Sequence, residues 1–127
     1  MIDYLAAAEF HDVVRALAII ESGEDERAHG DEGLAFGLLQ LHPPTFLRYY
    51  GCLKNRFQPH VLDSWTTAQI KACAAYLYAH KWGNASEEQR DLIITAWNLG
   101  EAAVFIEGKR NPSYVARWRE AYARITV

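Results

Sequence analysis

The chain has 127 residues, which suits one domain of ordinary size and leaves no room for a second core. Half of it is hydrophobic and 23% is charged, which excludes a disordered chain. The formal charge of −3 argues against a nucleic-acid partner, which calls for a basic patch.

Residues 3 to 21 carry Leu5, Ala8, Val13, Val14, Leu17 and Ile20 near helical spacing, with Gly23 as the stop. Residues 24 to 34 hold Gly30, Gly33 and many charges and read as a loop or short hairpin. Residues 35 to 41 are compactly apolar. Pro43-Pro44 then opens a short helix over Thr45 to Tyr50, closed by Gly51, and residues 52 to 62 read as irregular. Asp63 or Ser64 caps a long helix to about Lys81, built on Trp65, Ile70, Cys73, Tyr76 and Leu77 and ended by Gly83. Ser86 with Gln89 makes a capping box for a helix carrying Leu92, Ile93 and Trp97. Gly100 interrupts, a short helix runs to Gly108, and Asn111-Pro112 opens a last helix burying Val115, Trp118, Tyr122 and Ile125. The expected fold is mainly α, with at most a small β element after the first helix.

Chemistry concentrates between Ala18 and Pro44. Glu21 closes an apolar helix, a Gly-rich acidic loop follows, and Gly37-Leu38-Leu39-Gln40 returns to the core. A carboxyl on the last turn of a helix, packed against apolar neighbours, loses hydration, and the negative end of the helix dipole further favours its neutral form. Such an acid can protonate a glycosidic oxygen. Glycoside hydrolysis usually needs a second carboxylate, and Asp31, between Gly30 and Glu32, is the candidate. The four Trp and seven Tyr suit sugar-lining and core packing alike.

Glu21-Ser22-Gly23 followed by Gly37-Leu38-Leu39-Gln40 resembles the Glu-Ser and Gly-Leu-Met-Gln motifs of soluble lytic transglycosylases. The run from Gly30-Asp31 through Gly33 and Phe36-Gly37-Leu38 to Gln40 resembles goose-type lysozymes more closely. Ala96-Trp97-Asn98-Leu99-Gly100 is similar to the Ala-Tyr-Asn-x-Gly motif of the same superfamily, and Tyr114 stands where these enzymes often carry a late Tyr. Order and rough spacing agree from residue 17 to 115.

The resemblance implies a lysozyme-like fold and cleavage of the β-1,4 bond between N-acetylmuramic acid and N-acetylglucosamine in peptidoglycan. It implies Glu21 as general acid, Gln40 and Asn98 lining the cleft, and Trp97 in place of the usual Tyr. Leu39 replaces the motif Met, a volume-conserving change. The second Asp of goose-type enzymes is here His42, which either orients water or is a surface residue before Pro43. Retention of Asp31 tilts the expectation toward lysozyme-type hydrolysis. A lytic transglycosylase forming a 1,6-anhydro product is the alternative, and a catalytically inactive glycan- or partner-binding module is another.

The five His residues show no close pair at ligand spacing, and no nucleotide loop appears, so neither metal nor cofactor is expected. Cys52 and Cys73 form no CxxC pair, Cys73 reads as a buried thiol, and the pairing of the two is open. The start Met1-Ile2-Asp3-Tyr4 lacks the features of a signal peptide, and no stretch suits stable membrane insertion. Together with a wall substrate, this suggests a phage enzyme released from the cytoplasm or carried in a virion, or a domain cut from a longer secreted protein. The basic C-terminal stretch, with Arg117, Arg119 and Arg124, fits an anionic polymer or a solvated helix face. Oligomeric state is not legible.

Overall fold

The computed structural model describes residues 2–30, 33–51, 59 and 62–126. Among the described residues, five α-helices carry the fold: α1 (His11–Ser22), α2 (Pro43–Tyr49), α3 (Trp65–Ala79), α4 (Glu87–Leu99) and α5 (Pro112–Ile125). Two strands, β1 (His29–Gly30) and β2 (Ala35–Phe36), pair antiparallel, with His29 opposite Phe36 and Gly30 opposite Ala35. The protein is thus mainly α with one small β element directly after α1.

Local chemistry sets most boundaries. Gly23 takes a left-handed φ of 66°, and the amides of Gly23 and Glu24 return to Ile19 and Ala18, so α1 stops with Glu21 on its final turn. Ser64, rather than Asp63, caps α3 by accepting from the Thr67 amide. Asp63 instead accepts from Lys71 Nζ and Tyr50 Oη, both at 2.9 Å. Ser86 and Gln89 close the capping box of α4, and Asn111 caps α5 ahead of Pro112.

Three expectations need correction. The helix expected over residues 3 to 21 is broken at Ala8, whose φ and ψ are 55° and −127°; Tyr4–Phe10 forms a separate 3-10 segment. The cause is tertiary. Tyr4 Oη donates to Glu24 Oε2 at 2.8 Å. A straight helix would hold those residues about 30 Å apart. The end of α3 is marked by Lys81, left-handed at φ 56°, with Trp82–Asn84 following as a 3-10 turn, so Gly83 is not the stop. On α5, Tyr114 and Ala121 join Val115 and Trp118 as buried residues, while Tyr122 and Ile125 are only partly covered. The irregular stretch expected over residues 52 to 62 lies largely outside the described residues, as does Cys52.

The core is continuous from α1 through α3 to α5. Val13, Val14, Leu17 and Ala18 of α1 meet Ile70, Cys73 and Leu77 of α3, and Trp118 of α5 donates its indole N–H to the Val13 carbonyl at 3.4 Å. Burial of such side chains contributes about 1.5–3 kcal/mol each. Among the described residues, no helix is long and apolar enough to cross a membrane.

Candidate functional site

The site is built around the last turn of α1. Glu21 is half-buried there. Ser22 fixes that turn: its Oγ lies 2.6 Å from the Leu38 carbonyl, accepts from the Asp25 amide at 3.1 Å, and is 3.3 Å from the Ala18 carbonyl. A hydroxyl has one proton, and the shortest contact takes it. Ser22 therefore ties the Glu21 turn to the Gly37–Gln40 segment. Ser22→Ala leaves the buried Leu38 carbonyl without that donor, so a thermal melt is expected to register a loss of about 1–2 kcal/mol.

The Gly37–Gln40 segment is a tight turn. Phe36 and Leu41 exchange two backbone hydrogen bonds at 3.1 Å each across it, and Gln40 itself is left-handed at φ 49°. Gln69 of α3 is buried and reads this turn with both ends of its amide. Its Oε1 accepts from the Leu39 amide at 3.0 Å, and its Nε2 donates to the Phe36 carbonyl at 3.1 Å. Gly37 lies against that amide at φ 76°, and a Cβ there would run into it. Only glycine meets both conditions. Gln40 folds over its own turn, with Nε2 donating to the Gly37 carbonyl at 2.9 Å and the amide oxygen resting against Gly30.

Two buried groups stand behind Glu21. Burial pushes the Cys73 thiol well above its ordinary value, and the Glu21 charge adds to the effect. Burial likewise raises the Tyr114 hydroxyl, reinforced by Glu21 as a charge and as an acceptor. Among the described residues, Tyr114 Oη has no partner at regular hydrogen-bond geometry. Tyr114 Oη nonetheless lies close enough to Glu21 to feel it as a charge and an acceptor. Both groups keep their protons near neutral pH, so this wall of the site is neutral. Arg117 of α5 donates to the Ile20 carbonyl at 2.9 Å and offsets the negative helix end beside Glu21.

His42, Trp97 and Asn98 line one cavity of about 230 Å³, together with Thr45, Tyr76 and Glu101. The Trp97 ring packs on Tyr76 at 4.9 Å between centroids. Asn98 Oδ1 accepts from Asn111 Nδ2 at 2.8 Å, which joins the end of α4 to the cap of α5. The predicted residues thus divide: Tyr114 stands at Glu21, Gln40 sits on the adjoining turn, and His42, Trp97 and Asn98 share the cavity. Asp31 lies outside the described residues. Two of the three basic residues noted on α5 are matched by acids, Arg119 by Glu87 and Asp91, and Arg124 by Glu120.

Sequence reasoning missed Gln69, Glu101 and the partners of Glu101. Glu101 Oε2 lies 2.6 Å from Tyr49 Oη and 2.8 Å from His80 Nε2, and its Oε1 is 3.5 Å from Arg48 Nη1. These residues are 21 to 53 positions away in the chain, so no local pattern reveals the cluster. Gln69 did leave a trace, as an amide on the helical spacing that also carries Cys73 and Tyr76. Among the described residues, no three His, Cys, Asp or Glu side chains are grouped to hold a metal ion.

A scan against family models and searches of curated proteins and of solved structures found no match for this chain.

Proposed function

We propose that this protein cleaves the glycan strands of peptidoglycan at the β-1,4 bond between N-acetylmuramic acid and N-acetylglucosamine, with Glu21 as general acid. The observation that carries the reading is convergence around one carboxylate. The Gly37–Gln40 turn is bonded to the residue next to Glu21 through Ser22 Oγ, and Tyr114, 93 positions away in the chain, faces Glu21 from α5. The motif residues Trp97 and Asn98 line a cavity with His42, which follows the same turn. The meeting of the Glu21 turn, the Gly37–Gln40 turn and Tyr114 supports the reading.

In this mechanism Glu21 protonates the leaving oxygen as the muramic acid ring gains oxocarbenium character. Cys73 and Tyr114, both protonated near neutral pH, place no second charge beside Glu21. The part-exposed Trp97 offers an aromatic face to a sugar ring, and the exposed Asn98 and His42 offer polar contacts. Water then attacks, giving a reducing end. The direct test is a turbidity assay on purified wall fragments: clearing by the wild-type chain is expected, and intact walls at micromolar protein would remove the reading. An inactive glycan-binding module predicts walls that bind the protein and stay whole.

A further inference from the structure

Gln69, Cys73 and Tyr76 on α3, with His80 at its C-terminal cap, recur at spacings of four, three and four, so they form one stripe along the helix. Gln69, at one end, holds the Gly37–Gln40 turn. Cys73 stands behind Glu21, Tyr76 lines the 230 Å³ cavity, and His80 meets Glu101. Two carboxylates therefore address the same stripe, Glu21 near Cys73 and Glu101 between Tyr76 and His80.

Glu101 is held firmly and stays accessible. Tyr49 of α2 and His80 of α3 both address Oε2, and a carboxylate only accepts, so His80 Nε2 carries the proton between them. Phe105 stacks on the His80 ring at 5.3 Å and keeps it in place. The Glu101 side chain is 23% exposed, and it shares its cavity with His42, Trp97 and Asn98. Among the described residues Oε1 meets the exposed Arg48, at 3.5 Å, and it is the oxygen of the pair that faces water.

We propose that Glu101 is the second carboxylate of this site and activates the attacking water. The assignment rests on the peptidoglycan-cleaving reading above. The water oxygen bonds to the anomeric carbon while the glycosidic C–O bond breaks. Glu101 takes one proton from that water, and Glu21 gives its proton to the leaving oxygen. The enzyme ends with Glu101 protonated and Glu21 ionised, and solvent exchange resets both. The β-linked strand yields an α-anomeric reducing end.

The test compares wild-type, Glu101→Gln and Glu101→Ala on purified peptidoglycan, with circular dichroism to check the fold. We expect Glu101→Gln to lower kcat by about 10²-fold or more with KM within about threefold. We expect sodium azide or formate to restore turnover to Glu101→Ala. A folded Glu101→Ala that neither azide nor formate revives marks Glu101 as structural and overturns the assignment, as does Glu101→Gln with kcat within about fivefold of wild type. Should both variants misfold, Glu101→Asp keeps the charge and withdraws it from the cavity: a kcat equal to wild type counts against the role, and a fall in kcat at constant KM supports it. Walls left intact by the wild-type chain overturn the parent reading and this one together, whereas cleavage that survives Glu101→Gln overturns this one alone.

Discussion

Glu21→Gln is expected to abolish wall cleavage while leaving the fold in place. Glutamine keeps the shape of the side chain and its ability to face Tyr114, so the half-buried position loses little packing. It has no acidic proton to give the leaving oxygen. Removing a general acid typically costs about 10²–10⁴-fold in rate. Turbidity clearing by the variant should therefore fall by at least two orders of magnitude, with a melting temperature within a few degrees of wild type. A folded variant that clears walls at the wild-type rate would take Glu21 out of the chemistry.

Gln69→Leu is expected to be the most damaging substitution away from the carboxylates. The Leu39 amide loses its side-chain partner in a buried setting, while the part-buried Phe36 carbonyl loses one of two donors and keeps the Leu41 amide. An orphaned buried amide costs about 1–3 kcal/mol and a lost hydrogen bond about 1, so the loss is about 2–4 kcal/mol and the melting temperature falls by on the order of 10 °C. Activity should fall with it, because the turn that borders Glu21 loses its anchor. Gln69→Glu separates the hydrogen bonds from the volume. A protonated carboxyl can both accept from Leu39 and donate to Phe36, whereas an ionised one can only accept. Its folded pKa is therefore raised above the unfolded value of about 4.3. Its stabilisation is fully present below that value and is lost as pH rises through the folded pKa. Melts should show Gln69→Glu close to wild type near pH 4 and well below it at pH 7. A penalty that does not change with pH would mean that the amide acts through packing alone.

The parts of the fold legible in the sequence are those set by neighbours in the chain. Gly23 stops α1, Ser86 and Gln89 box the start of α4, and Asn111-Pro112 opens α5, each through contacts within a few residues. The break at Ala8 was not legible, because its cause is the reach of Tyr4 to Glu24 along the outside of α1. At the end of α3, Gly83 is the better left-handed residue by intrinsic preference, yet Lys81 takes that conformation.

The site divides in the same way. Glu21, Gln40, Trp97, Asn98 and Tyr114 were nameable from motif order. Their supports were not. Gln69 acts across 30 residues, and the tie between Tyr49 and Glu101 spans 52. Ser22 reads as an ordinary helix-end serine until the Leu38 carbonyl is seen at 2.6 Å. A single sequence exposes groups that match a pattern, while the groups that hold them in position are set by tertiary contacts.

The most direct measurement of the central claim is mass spectrometry of purified peptidoglycan digested by the wild-type chain, with Glu21→Gln run alongside. Muropeptides ending in reducing N-acetylmuramic acid are expected from the wild-type chain, with none above background from the variant. Products carrying only 1,6-anhydro ends would contradict hydrolysis and make the sugar's own hydroxyl the acceptor. A digest with no glycan cleavage at all would contradict the assignment of Glu21 as a glycosidic acid.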